Sequence, residues 1–217
     1  MDVVVFGAGE IAQLAHFYLG HDSPHRVVAF TVDGAYLKES SFCGLPVVPF
    51  EETQARFAPA THEMFVAVSY SQVNQVRAAK YHEAKAKGYR LVSYVSSRAT
   101  HYGTPIGDNC FIFEDNTIQP FTRIGNNVTL WSGNHIGHHS TVGDHCFISS
   151  HVVISGGVTI EPYCFLGVNS TVRDHVTIGA KCVVGMGAMI TKSCEPEGVY
   201  VGAPARRQSS STELAKI

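Results

Sequence analysis

The sequence predicts a small α/β domain of the Rossmann type followed by an all-β parallel β-helix. Two observations lead to this prediction. The chain starts with an apolar run, a glycine turn and a helical pattern, which is how a nucleotide-binding α/β unit begins. The second half carries an aliphatic residue at every sixth position. A period of six fits neither a free α-helix nor an isolated alternating strand, but it is typical of a β-helix whose short sides each point one aliphatic residue inward.

The aliphatic repeat continues without a break over most of the second half of the chain. Its positions are Ile106, Ile112, Ile118, Ile124, Leu130, Ile136, Val142, Ile148, Ile154, Ile160, Leu166, Val172, Ile178, Val184 and Ile190. Three sides of six residues make a coil of 18 residues. Residues 106–195 therefore predict five coils, stacked about 4.8 Å apart by hydrogen bonds between strands.

The same period accounts for most of the six cysteines. Cys146, Cys164 and Cys182 are spaced by one coil, and Cys110 falls in the same column. A zinc site needs thiolates that converge on one ion, whereas a column spreads them along the coil axis. We therefore expect free thiols that pack as small apolar residues in the core.

The front of the chain predicts alternating strands and helices. Strands are expected at residues 3–6, 27–32, 65–68 and 91–95, and helices after the glycine turn and at residues 72–87. Gly88 is placed to end the second helix. The predicted divisions are a Rossmann-like domain at 1–98, a β-helix at 99–207 and a polar tail at 208–217.

The glycine turn at residues 7–12 is a candidate phosphate site. Its backbone N–H groups and the helix N-terminus behind it can hold an anion, although Gly7 and Gly9 are also explained by close packing alone. A nicotinamide dinucleotide and a nucleotide-sugar diphosphate both fit such a turn. Asp33, at the end of the second predicted strand, is placed to accept hydrogen bonds from a ribose or a base. The candidate binding residues are Gly7, Ala8, Gly9, Glu10, Asp33, Ser69 and Tyr70.

Composition argues against two classes of partner. The formal net charge is −2 and no block of basic residues is present, so we expect neither nucleic acid nor an anionic membrane surface as a partner. No run of 18 or more apolar residues exists, so no membrane span is expected. The first residues lack the features of a secretory signal, and we expect a cytoplasmic protein.

Four segments carry a resemblance to a known family: the FGAGE turn, GNHIGHHSTVGDH, FLGVNSTV and VYVGAPAR. They resemble the hexapeptide-repeat sugar acetyltransferases, the group of sialic-acid O-acetyltransferases and of bacillosamine-pathway and perosamine N-acetyltransferases. The likeness covers nearly the whole chain. It implies a left-handed β-helix, a homotrimer, a nucleotide sugar bound by the front domain and acetyl-CoA bound between adjacent β-helices. It implies no metal.

His138 is the candidate general base. It lies two places after an aliphatic position, at an outward turn, and Gly156 follows one coil later. A residue without Cβ at that place leaves room for an acetyl group and exposes a backbone N–H. By resemblance, His138 is the catalytic histidine and the Gly156 N–H binds the thioester carbonyl. The family places an acidic residue after this histidine, where His139 stands here.

Further residues are assigned as partners of His138 and as cofactor contacts. Asn134 and Asp144 are alternative partners that orient His138. By resemblance, Gly156, Val168, Gly185, Met186 and Ala188 line the pantetheine groove, and Pro204 and Arg206 lie near the adenine and phosphates.

These expectations combine into acetyl transfer from acetyl-CoA to the amino group of a nucleotide-linked 4-amino-4,6-dideoxy sugar, a step in glycan sugar biosynthesis. Four alternatives stay open. They are an O-acetyltransferase of the sialic-acid type, a zinc enzyme with His139 and His175 at a subunit interface, a non-catalytic nucleotide-binding scaffold, and a nicotinamide dehydrogenase.

Overall fold

A computed structural model describes residues 2–204 and 206–210. The chain divides into two compact units. The first consists of Met1–Ser69 and Arg77–Tyr94, and the second of Tyr70–Val76 and Val95–Ile217. In the described part of the chain, no helix is long and apolar enough to cross a bilayer.

The first unit is built on a five-stranded sheet in the order β3-β4-β2-β1-β5. All neighbours are parallel except the β3–β4 hairpin. Its strands are β1 Asp2–Phe6, β2 Arg26–Val32, β3 Ser41–Phe42, β4 Leu45–Pro49 and β5 His62–Val66. The helices of the chain are α1 Glu10–His21, α2 Thr53–Arg56 and α3 Gln75–Ala86. Apolar runs such as Val3–Phe6 form strands because both faces of this sheet are covered.

The predicted elements of this unit are confirmed with shifted boundaries. β5 begins three residues earlier than the predicted strand at 65–68. The helix predicted at 72–87 begins only at Gln75, because Gln72, Val73 and Asn74 adopt positive φ angles. Of the strand predicted at 91–95, Leu91 forms a single bridge to Met64 and only the last two residues are a strand. The β3–β4 hairpin was not predicted, because both strands are short and lack alternation.

The second unit is a parallel β-helix of three sheets. The first sheet holds β6 Tyr94–Val95, β7 Phe111–Ile112, β10 Thr129–Leu130, β13 Phe147–Ile148, β16 Phe165–Leu166, β19 Val183–Val184, β21 Gly198–Val201 and β22 Arg206–Ser210. The second holds β8 Thr117–Ile118, β11 His135–Ile136, β14 Val153–Ile154, β17 Thr171–Val172 and β20 Met189–Ile190. The third holds β9 Arg123–Ile124, β12 Thr141–Val142, β15 Thr159–Ile160 and β18 Thr177–Ile178.

The strand register confirms the predicted period. Each strand from β7 to β20 ends on an aliphatic residue of the repeat, and those residues fill one core. Strands pair with the strand one coil away, so that Ile136 lies beside Ile154 and Ile154 beside Val172. Each position therefore stacks on the residue 18 places away. The columns predicted from spacing are real neighbours in space.

The corners between the sheets have a repeated backbone conformation. We name them the first corner (sheet one to two), the second corner (sheet two to three) and the third corner (sheet three to the next coil). The third residue after each aliphatic position from Ile106 to Val184 has a positive φ, as at Asn127 (55°), His139 (58°) and Gly157 (70°). Asparagine, histidine and glycine are common at these positions because they tolerate the left-handed region better than most residues.

The cysteine column lies in the core, as predicted. Cys110, Cys146, Cys164 and Cys182 are fully buried and are free thiols. The Cys164 thiol donates to the Gly179 carbonyl at 3.1 Å. Burial raises the pKa of Cys182 to about 11 and that of Cys194, at the last coil, to about 12.

Residues 70–76 pack on the outer face of the first sheet. The Tyr70 ring lies 4.9 Å from that of Phe147 and 4.8 Å from that of Phe165. The Asn74 amide donates to the Tyr163 and Cys164 carbonyls at 3.1 Å each. Three successive left-handed residues cost about 1–3 kcal/mol each, and burial of Val73 and Asn74 against the sheet offsets this cost.

The end of the described chain extends the first sheet. β22 pairs antiparallel with β21, so Gln208–Ser210, part of the predicted polar tail, are in a strand. Residues 211–217 lie outside the described residues.

The thiols provide a test of the core. Cys43 is exposed and the other five cysteines are buried, and thiolate, the reactive form, is disfavoured by burial. We predict that an aromatic disulfide reagent modifies one thiol per native chain rapidly, and all six only after denaturation. Cys43→Ser should abolish the rapid phase. Rapid reaction of two or more thiols in the native protein would contradict the buried column.

Candidate active site

His138 and His139 lie at the second corner, between β11 and β12. Both side chains are exposed. Their Nδ1 atoms are 3.0 Å apart and their rings meet edge to face. A hydrogen bond between two ring nitrogens needs a proton on one of them and a lone pair on the other. The two histidines therefore form one hydrogen-bonded pair rather than two independent surface residues.

Gly156 lies against the His138 ring, as the spacing of one coil predicts. A Cβ on Gly156 would stand 2.6 Å from Cε1 and 2.7 Å from Nε2 of His138. No side chain fits at such distances, so glycine is required if His138 keeps this position. The Nε2 edge of the imidazole therefore faces the Gly156 backbone.

The backbone N–H of Gly156 has no hydrogen-bond partner among the described residues, while its carbonyl accepts from the His175 N–H at 3.0 Å. The equivalent N–H is capped by a side chain at some corners and not at others. At the second corner, the His138 N–H donates to Gln119 at 2.9 Å, and at the third, the Ala180 N–H donates to Glu161 at 2.8 Å. A free, half-buried N–H thus stands beside a potential base.

Among the described residues, the ring of His138 contacts that of His139 and neither of the two predicted partners, Asn134 and Asp144. Asn134 is 1 % exposed, and its amide is bonded to the Trp131 carbonyl and the Val152 N–H. Both ends of this amide are therefore engaged within the core. Asp144 is at the third corner, where its carboxylate accepts from the Asn126 N–H at 2.8 Å.

The residues expected to line a pantetheine groove lie at or near the first corner. Met186 is 82 % exposed and Val168 is 42 % exposed, while Gly185 is half-buried. Ala188 is fully buried in the core, which corrects its assignment to a surface groove. It stands four places after Val184, at the inward position that Cys182 occupies on another side.

The first and second corners lie on opposite edges of the second sheet. In a single chain, His138 and Met186 therefore face different directions. The outer face of the sheet between them exposes Val153 and Met189, at 43 % and 45 %. Near the end of the chain, Pro204 and Arg206 are exposed.

The glycine turn of the first unit packs closely at Gly7 and exposes the N-terminus of α1. Gly7 has φ +122°, and a Cβ there would stand 2.7 Å from the Ala67 carbonyl oxygen, so Gly7 allows close packing. Gly9 is the N-cap of α1 and has no side-chain hydrogen bond, with open space where a Cβ would be. Ala8, Gly9 and Glu10 are exposed, so the helix N-terminus is accessible to an anion.

A cavity of about 220 Å³ opens beside this turn. Ala8 and Val32 connect it to the ends of β1 and β2, and the exposed ring of Tyr36 lines it. The other lining residues were not predicted from the sequence. They are Leu37, Lys38, Glu39, Ser41, Phe42 and Val47. The sequence feature that could have indicated this cavity is the aromatic residue Tyr36, three places after Asp33.

The remaining predicted binding residues have defined surroundings. The Asp33 carboxylate accepts from Lys80 at 2.7 Å, and Lys80 also pairs with Glu83. Ser69 is half-buried after β5. Tyr70 belongs to the second unit and packs on the first sheet.

Within residues 2–204 and 206–210, no three His, Cys, Asp or Glu side chains are grouped to hold a metal ion.

Two family models match residues of the β-helix. Residues 121–156 match the family model for bacterial transferase hexapeptide (six repeats), and residues 157–192 match that for the hexapeptide repeat of succinyl-transferase. No curated protein matches the sequence.

Solved structures share the fold over nearly the whole chain. A histidine variant of perosamine N-acetyltransferase from Caulobacter crescentus, in complex with CoA and GDP-perosamine, is 23 % identical, with a TM-score of 0.86 over 97 % of this chain and 98 % of that one. The acetyltransferase domain of PglB from Neisseria gonorrhoeae is 20 % identical, with a TM-score of 0.83 over 95 % and 99 %. WeeI from Acinetobacter baumannii is 21 % identical, with a TM-score of 0.65 over 96 % and 100 %.

Parallel sheets built on this repeat fit a left-handed β-helix. Residues 121–192 match hexapeptide-repeat family models, and the chain shares its fold with solved acetyltransferases of the group that its motifs resemble.

Proposed function

We propose that the protein is an acetyl-CoA-dependent N-acetyltransferase whose acceptor is the amino group of a nucleotide-linked 4-amino-4,6-dideoxy sugar. One observation carries the proposal: the Nε2 edge of His138 faces a glycine backbone whose N–H is free. Acyl transfer needs a base for the attacking amine and a donor for the oxyanion, and this corner supplies both.

In the proposed reaction, the sugar amine attacks the thioester carbonyl carbon while Nε2 of His138 accepts a proton from the amine. The tetrahedral intermediate places its negative charge on the former carbonyl oxygen, which accepts a hydrogen bond from the Gly156 N–H. Collapse of the intermediate breaks the carbon–sulfur bond. The proton on His138 passes to the leaving sulfur, giving CoA and the N-acetylated sugar, and the histidine returns to its starting form.

The nucleotide part of the acceptor is assigned to the first unit. The exposed N-terminus of α1 at Gly9 and Glu10 suits a diphosphate. The adjacent cavity suits the nucleoside, with Tyr36 as an aromatic surface for a base. Asp33, fixed by Lys80, is placed to accept from a ribose hydroxyl. The complex of the Caulobacter crescentus relative with GDP-perosamine supports this class of ligand.

The CoA part of the proposal requires two copies of the chain. His138 at the second corner and Met186 at the first face away from each other across the second sheet. A site that contains both therefore forms where one chain meets the next, as in a closed homotrimer. The exposed Val153 and Met189 on the sheet between the corners support burial of this face. Gly185 and Val168 then line the pantetheine, with Pro204 and Arg206 toward the adenine and phosphates.

An amine is preferred over a hydroxyl as acceptor because the relative with the highest TM-score among these is a perosamine N-acetyltransferase. The corner itself serves either nucleophile. The acceptor class is therefore decided by measurement with both kinds of sugar.

The catalytic assignment predicts loss of turnover in His138→Ala. With acetyl-CoA and two panels of nucleotide-linked sugars, one of 4-amino-4,6-dideoxy sugars and one of their hydroxyl counterparts, wild type should release CoA thiol with an amino sugar. The variant should lose about 10²–10⁴-fold in kcat, the usual contribution of a general base. His175→Ala is the matched control, since His175 stands at the same corner two coils later and its ring lies against Gly157. Equal losses in both variants, or turnover only with hydroxyl sugars, would contradict the proposal.

The shared site predicts complementation between two inactive variants. His138→Ala damages the second corner, and Met186→Asp places a charge at the first. When the two are unfolded together and reassembled at equal amounts, random closed trimers should regain about one quarter of wild-type activity. Each variant refolded alone is the control. Absence of any gain in the mixture, with trimers present by mass measurement, would place the whole site within one chain.

A further inference from the structure

We propose that His139 is a positioning residue for His138, and that it acts as a neutral hydrogen-bond acceptor through Nδ1. The inference rests on the proposed function, because it assigns His138 as the base. It goes beyond that function by specifying which ring of the pair carries the shared proton.

The contact between the two rings allows only two neutral arrangements. The Nδ1 atoms are 3.0 Å apart, so one of them holds the proton and the other accepts. If His139 donates, the neutral His138 ring carries its own proton on Nε2 and that atom is no base. If His138 donates from Nδ1, its Nε2 has a free lone pair. That lone pair faces the Gly156 backbone, where the reacting groups are proposed to lie.

Neighbouring groups hold both rings without competing for the shared proton. The His138 backbone N–H donates to the Gln119 side chain at 2.9 Å. The His139 ring lies 4.7 Å from that of Phe121, an apolar neighbour. Arg123 lies beside Thr141, two residues after His139, and Asp174, one coil beyond Gly156, pairs with Arg173. The pair is therefore the local source of ring orientation at this corner.

The backbone at position 139 provides a matched pair of variants. With φ 58°, it tolerates asparagine and glycine, and the next coil has glycine at the same place, Gly157. In His139→Asn, the side-chain Oδ1 can take the place of Nδ1 as a neutral acceptor. In His139→Gly, the acceptor is removed without new backbone strain. Because both variants lose the imidazole and its contact with Phe121, the difference between them reports the acceptor.

The kinetic test compares these variants with acetyl-CoA and the amino sugar that wild type accepts. Loss of orientation should lower kcat of His139→Gly by about 10–100-fold, at the low end of what a misplaced general base costs, with KM for both substrates nearly unchanged. His139→Asn should retain kcat within about threefold. Equal kcat in the two variants, whether both high or both low, would overturn the role of the acceptor.

A second readout does not depend on turnover. Histidine ring ¹⁵N–¹H spectra of the wild-type protein assign each tautomer. The inference requires His138 in the Nδ1–H form and His139 in the Nε2–H form, and His138 should lose this preference in His139→Gly. A wild-type spectrum with His138 in the Nε2–H form would overturn it. If no nucleotide sugar is turned over while the spectrum shows the expected tautomers, the proposed function fails and the arrangement of the pair stands.

Discussion

The parallel register of the β-helix is the constraint on which the rest of the second unit depends. Because each strand pairs with the strand one coil away, residues 18 positions apart are forced into contact. Aliphatic residues then stack into one core, and cysteines into a column within it. The same stacking places the His138 ring on Gly156. A single hydrogen-bonding pattern thus fixes both the stability of the coil and the position of the candidate base.

The corners of the β-helix share one backbone conformation but differ in the side chains around it. Their left-handed residue is a structural requirement, met by asparagine, glycine and histidine along the chain. At some corners the turn N–H group is capped by a side chain, such as Gln119 or Glu161. At Gly156 no such cap is present among the described residues, and the ring of His138 lies against the glycine. The combination of an uncapped glycine N–H and an adjacent histidine ring makes this corner the candidate site.

Spacing alone predicted the β-helix, its coil length, the cysteine column and the contact of His138 with Gly156, because each follows from one fixed period. The same register places Asn134 and Ala188 at inward positions, and resemblance-based assignment overlooked that. The left-handed segment at Gln72–Asn74 was not predictable, because its strain is offset by tertiary contacts with the first sheet. The cavity beside Tyr36 depends on the fold of an irregular loop, for which no period exists.

The most direct test of the account is the structure of the protein bound to acetyl-CoA, with the distance from the Gly156 nitrogen to the thioester carbonyl oxygen as the measured quantity. We predict a distance of about 3 Å, which corresponds to a hydrogen bond from the free N–H. The thioester should lie beside Nε2 of His138, and the pantetheine should lie on the first corner of a neighbouring chain. A thioester bound away from Gly156, or a cofactor held within one chain, would contradict the central claim.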